Sequence, residues 1–177
     1  MKRKTFFKKI PSEEITPLEI YMRFLDDKNS YFFESVEGGE KWAKYSIIGL
    51  PTDKKIKLSD SPLDEIDDFM KSQKVERIEG LPDFTGGLVG YFSYDTIRHI
   101  EKKLSNSKKP QLNYAEISLM ISDELIVYDN YEKNLFIIVN DSVKNEKLAN
   151  SRIDEILQQI NTPLEDKDDS KKNKIEF

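Results

Sequence analysis

Three stretches of the chain bring together residue types that could do chemistry. The first is Phe33-Glu34-Ser35, a carboxylate beside a hydroxyl after a run of aromatics. Neighbours on a strand point to opposite faces. If Phe32 and Phe33 are both buried in a two-sided sheet, Glu34 and Ser35 lie near the strand's exit. There the carboxylate could receive an ammonium group and the hydroxyl could bond a carboxylate, a pair suited to a zwitterionic amino acid. The plainer alternative is a Glu that starts a turn and a Ser that ends a strand. The second stretch, Asp95-Thr96-Ile97-Arg98-His99, holds an acid, a cation and an imidazole. Its plainer reading is a helix start with Asp95 as cap and Arg98 in solvent. The third, Gly86-Gly87-Leu88-Val89-Gly90, is glycine-rich, but no Gly-Lys-Ser/Thr follows, so it is not a phosphate loop. Glycines there serve close backbone packing or a bulge.

Composition narrows the chemistry further. The chain has 177 residues, enough for one domain with a core. Acidic residues outnumber basic ones, 33 to 28, which argues against a general nucleic-acid binder. There is no Cys, so no disulfide scaffold, thiolate metal site or Cys nucleophile is expected. His99 is the single His, so a His-based metal site or a Ser/His/Asp triad would have no spare parts. The Asp and Glu residues form no cluster at metal-ligand spacing. No catalytic and no metal-binding residue is expected. No apolar run approaches the ~20 residues of a membrane span, and the basic start lacks a signal peptide's apolar stretch. A cytoplasmic protein with no membrane and no nucleic-acid partner is the default expectation.

The elements that must position these residues can be read from spacing. Thr16-Pro17-Leu18-Glu19 is a helix start with a capping box, and Leu18, Tyr21, Met22 and Leu25 then predict one apolar face. The β-prone run 31–36 predicts a strand, 37–40 a turn, and 45–50 a second strand paired with the first. Trp42, after the Gly-Gly turn, reads as a core anchor. Residues 54–58 alternate as an exposed edge strand would. A second helix starts at Ser61-Pro62, with Leu63, Ile66, Phe69 and Met70 on its apolar face. A glycine-interrupted strand spans 86–94, a short helix 95–102 and a polar loop 105–111. Strands at 115–122, 124–129 and 135–140 follow, the last two joined by a five-residue loop at 130–134. Asp141 or Ser142 caps a final helix with Leu148, Ile153, Ile156, Leu157 and Ile160 apolar. The pattern predicts an α+β fold with a largely antiparallel sheet and flanking helices. After Pro163 charge dominates, so the reading is a domain at 1–162 and a charged linker at 163–177.

Two long blocks carry a family resemblance. Residues 32–50, with Phe32-Phe33-Glu34-Ser35, Gly38-Gly39, Trp42 and Lys44-Tyr45-Ser46, resemble the L-L-E-S-x-x-G-G-x-x-W-x-R-Y-S-x-I-G stretch of anthranilate synthase component I. Residues 86–101 are similar to that family's G-G-x-V-G-Y-x-G-Y-D-x-V-R-x-x-E, and residues 122–129 to its x-D-x-x-V-x-D hairpin. In the departures, Phe32-Phe33 stands for Leu-Leu, Ser93 for a Gly, and Lys44 for an Arg, which keeps the charge and loses the fork.

The resemblance implies the family's amino-terminal, regulatory portion, with the chorismate-binding catalytic domain, its Mg2+-binding glutamates and its catalytic His outside this chain. It implies no cofactor in this chain, with Mg2+ expected in the catalytic domain. The parent enzyme would be a lyase making anthranilate and pyruvate from chorismate, with ammonia from a glutamine amidotransferase partner, component II. L-tryptophan would act as feedback inhibitor at the seam with the C-terminal chorismate-binding domain. The implied tryptophan residues are Glu34 and Ser35, with Phe33 as apolar neighbour and Lys44, Tyr45 and Ser46 on the paired strand. The chain alone would be inactive on chorismate. Two alternatives are the equivalent part of aminodeoxychorismate synthase component I and a stand-alone amino-acid-binding module.

Overall fold

The computed structural model describes residues 2–12, 14–26, 28–34, 44–58, 62–104 and 115–163. Seven strands and three helices appear among them: β1 (Arg3–Pro11), α1 (Pro17–Phe24), β2 (Asn29–Glu34), β3 (Tyr45–Thr52), α2 (Pro62–Ser72), β4 (Gly87–Phe92), β5 (Ile117–Ser122), β6 (Glu124–Asp129), β7 (Asn134–Ser142) and α3 (Glu146–Asn161). Short 3-10 turns cover Tyr94–His99, Lys102–Leu104 and Val143–Asn145. The expected turn at 37–40, Trp42, the polar loop at 105–111 and all but the first residue of the 163–177 linker lie outside the described residues.

The main sheet has the order β1-β7-β6-β3-β2 and every pairing in it is antiparallel. A second sheet pairs β4 with β5, also antiparallel. This is the α+β arrangement the sequence predicts. The segment read as an edge strand at 54–58 is shorter than expected. It forms one bridge, Lys55 with Met120, flanked by the bonds Ile121 N to Lys54 O and Ile56 N to Leu119 O. The chain leaving β3 thereby stitches the main sheet to β5.

One face of the main sheet carries the larger core. Ile48, Ile126, Leu135 and Ile137 meet Ile20 and Phe24 of α1 and Ala149, Ile153, Ile156 and Ile160 of α3. Each fully buried Ile contributes about 1.5–3 kcal/mol over its exposed state. The opposite face gathers Leu125, Val127, Phe136 and Ile138, with Tyr45, Ile47, Leu81 and Phe84 packed on them.

The helix start at Thr16 forms as read: Glu19 N donates to Thr16 Oγ1 at 3.2 Å and Thr16 N to Glu19 Oε2 at 2.8 Å. Its inward face differs from the expected one. Ile20 and Phe24 are buried, whereas Leu18, Met22 and Leu25 are exposed. Both stripes are apolar, and contact with the sheet and α3 selects between them. In α3, likewise, Ala149 is buried and Leu148 exposed. Ser142 caps the 3-10 turn leading into α3, accepting from Lys144 N. The β6–β7 loop is 130–133, one residue shorter than expected, and Lys133 takes φ 49.

Strand β1 has no counterpart in the sequence reading. It is an edge strand held along its length by β7. Lys4 and Lys8 reach α3 at Glu146 (3.6 Å) and Asp154 (2.9 Å). The doublets Phe6-Phe7 and Lys8-Lys9 hide the period-two alternation, since each doublet sends one member to either face. In β4, Gly90 answers to a close approach: a Cβ there would collide with the Ser118 carbonyl of β5.

Candidate functional site

Glu34 ends β2 and lies opposite Ser46, the second residue of β3. Ser46 lies in turn opposite Tyr128 of β6. These three form a row on the helix-covered face, the face of Phe32 and Ile48. The fully buried Ser46 hydroxyl donates to Glu34 Oε1 at 3.4 Å. Asn130 Nδ2 donates to the same hydroxyl at 3.2 Å, and Asn130 N donates to Lys44 O at 2.8 Å. The Glu34 side chain is exposed at the sheet's edge strand. Its nearest apolar neighbour along the strand on the same face is Phe32, which stacks on Tyr21 at 5.5 Å between centroids.

The other implied residues divide between faces. Phe33 belongs to the face opposite Glu34, where it is 53% exposed and lies 4.9 Å from Tyr31, ring centroid to centroid. Phe33 is therefore not the apolar neighbour of the Glu34 side chain, and the condition that both Phe32 and Phe33 be buried is not met. Tyr45 shares the face of Phe33. Lys44 Nζ lies 5.1 Å from the centre of the Tyr45 ring and 3.7 Å from Asp129 Oδ2. The Tyr45 hydroxyl first, and the Asp129 carboxylate behind it, hold the Lys44 ammonium above its ordinary pKa. Ser35 lies outside the described residues. The structure thus joins Glu34 to Ser46, and Lys44 to Tyr45, on the two sides of one sheet corner.

Two supporting residues escaped the sequence reading. Buried Asp129 accepts from Tyr131 N and Glu132 N, both at 3.0 Å, closing the hairpin that carries Asn130. The Asp of the x-D-x-x-V-x-D pattern was its only signal. Asn130 had none, because its partners lie 84 and 86 residues away in the chain.

The Asp95–His99 stretch is a braced turn. Ser93, not Asp95, stands at its N-cap. Asp95 instead takes Arg98 at 2.7 Å, and both side chains are largely buried, so Arg98 is not solvated. His99 Nε2 meets Glu116 Oε2 at 2.9 Å, and Thr96 donates to Glu116 O. Among the described residues no group of three His, Cys, Asp or Glu could hold a metal ion, and no helix is long and apolar enough to cross a membrane.

An antiparallel sheet backed by two helices, with a carboxylate and a buried hydroxyl paired at its edge, defines an α+β domain with a candidate small-molecule site. A sequence model of the chorismate binding enzyme family matches residues 28–177. The chain belongs to that family and is similar to anthranilate synthase component I. It is 37% identical over 171 residues to the anthranilate synthase component 1 of Pseudomonas aeruginosa, covering 84% of this chain and 35% of that protein. The Acinetobacter calcoaceticus protein of the same name is 36% identical over 174 residues, again with 84% and 35% covered. The chain thus spans about a third of the length of these relatives. The crystal structure of anthranilate synthase component I from Streptococcus pneumoniae matches the fold with a TM-score of 0.56 at 19% identity, covering 88% of this chain and 37% of that one.

Proposed function

We propose that this chain is the amino-terminal, tryptophan-sensing part of an anthranilate synthase component I. The complete protein would convert chorismate, with ammonia from a glutamine amidotransferase component II, to anthranilate and pyruvate in the cytoplasm. The observation that carries the reading is the extended, in-order similarity to several proteins of that name, of which this chain spans about a third. The chemical step and its Mg2+ would belong to the remaining two thirds of such a protein. The chain alone would be inactive on chorismate.

In this reading the Glu34 carboxylate receives the tryptophan ammonium and Ser35 bonds its carboxylate. Ser46 and Asn130 orient Glu34 from below. Lys44, held by Asp129, supplies positive charge at the same corner, and Phe33 and Tyr45 supply apolar surface on its other side. Regulation follows from linkage. Tryptophan favours one arrangement of this domain against the chorismate-binding domain, chorismate favours another, and each weakens the other by the same factor.

Substitutions in the complete enzyme test the reading. Ser35→Ala and Glu34→Gln are expected to raise the tryptophan concentration for half-inhibition about tenfold or more, the worth of a charge-assisted hydrogen bond, with uninhibited turnover retained. Unchanged inhibition in both variants refutes the site.

A further inference from the structure

The Gly86-Gly87 pair and Arg3 play no part in the tryptophan reading, yet they meet at one cleft. It holds about 370 Å3 and lies between α2 and the junction of the two sheets. Small-molecule sites run from about 300 to 1,000 Å3. Its walls are mainly apolar, with Phe69 and Met70 from α2 and Ile121 from β5. The last two residues of the α2 apolar stripe, Phe69 and Met70, line this space without filling it: Pro62 is the one buried residue of the helix, and Met70 stays 43% exposed.

The polar end of the cleft is cationic. Arg3 Nη2 donates to Asp123 Oδ1 at 2.5 Å and to Asn140 O at 3.0 Å, which fixes the guanidinium plane. Among the described residues all its hydrogen bonds run through that one nitrogen. Asp123 also takes Lys54 Nζ at 3.0 Å. Asp123 is therefore shared between Arg3 in the cleft and Lys54 outside it, and Lys74 adds a further cation to the cleft wall. The glycines keep the space open. A Cβ on Gly86 would come within 2.5 Å of Asn140 Nδ2, and one on Gly87 would project to 3.7 Å from Met70 Cε.

We propose that this cleft binds a small amphiphilic monocarboxylate, its anionic end on the Arg3 guanidinium and a ring or branched chain against Phe69, Met70 and Ile121. It is distinct from the Glu34 corner. Asp123, the residue before β6, precedes Tyr128, the partner of Ser46, by five residues, or about 17 Å of extended chain. The ligand of this second site needs no ammonium group, since among the described residues of the lining the one acid, Asp123, is held by Arg3 and Lys54.

The test uses the 177-residue chain labelled at its four methionine methyls, titrated with 3-phenylpropionate and with 3-phenylpropanamide. The carboxylate is expected to move the Met70 methyl saturably in the millimolar range and to leave Met22, on α1, unmoved. The amide should bind about tenfold more weakly, having lost the charge-assisted pair. Gln73→Glu, which sets an acid on the cleft wall without disturbing the Arg3 pair, should weaken the carboxylate and spare the amide. A Met70 methyl that does not respond to the carboxylate overturns the proposal. So does equal binding of the two probes, or a Gln73→Glu chain that binds the carboxylate as the parent does.

Discussion

Asn130 Nδ2 lies 3.2 Å from Ser46 Oγ, so a residue of the β6–β7 hairpin holds the buried hydroxyl that faces Glu34. Its backbone N–H grips Lys44 O at 2.8 Å as well. One loop residue thus fixes Ser46 of β3 and Lys44, the residue before that strand, at the sheet corner where the candidate site lies. The position of Glu34 then depends on a hairpin that meets β3 only in the folded chain.

Asn130→Ala should cost about 1 kcal/mol in urea unfolding, the usual net worth of such a hydrogen bond. In the complete enzyme it should also weaken tryptophan inhibition while leaving uninhibited turnover intact. Inhibition unchanged in a variant that is measurably less stable would show that the loop supports the fold and not the site.

Tyr31 makes stability fall at high pH. Burial pushes its phenol from 10.0 up to about 12, while the hydrogen bond to Ser122 Oγ pulls the other way. Below pH 10 the phenol is neutral in both folded and unfolded chains. Between pH 10 and about 12 the unfolded chain ionises first, so stability is lost as pH rises through that window. The full loss is about 2–3 kcal/mol. Urea unfolding should show this excess decline in the parent chain and not in Tyr31→Phe. Parallel curves for the two would refute it.

The α1 capping box titrates in the opposite sense. Its hydrogen bonds with Thr16 hold the Glu19 carboxyl below its ordinary 4.5. Its contribution is present above 4.5 and is lost as pH falls through the lowered value. Thr16→Ala should cost about 1 kcal/mol near neutrality. The gap between the two chains in thermal unfolding should narrow in acid.

Asp123 joins β1 to the exit of β3 through Arg3 and Lys54. Asp123→Asn should cost about 2–3 kcal/mol, because it strands a largely buried guanidinium. Lys54→Ala, on the exposed arm of the same pair, should cost less than about 1 kcal/mol. Equal losses in denaturant unfolding would contradict this ranking.

Local grammar made much of this fold legible. The capping box at Thr16, the pairing of β2 with β3 and the β6–β7 hairpin follow from residues close in sequence. The inner face of α1 did not, because two apolar stripes compete and only the sheet and α3 decide between them. Strand β1 was hidden by its doublets and by its reliance on β7, more than 120 residues away. At the site, Glu34 could be singled out from its neighbours, and Ser46 came from the family resemblance. Asn130 and Asp129 matter through contacts that the chain makes only after β3 and β6 have paired.

An amide NMR titration of this chain with L-tryptophan tests the central claim most directly. Saturable shifts at Glu34, Tyr45 and Ser46 in the millimolar range, absent with L-alanine, are the predicted result. A well-dispersed spectrum in which those three amides stay still while tryptophan is raised through that range would contradict the assignment of tryptophan sensing to this corner.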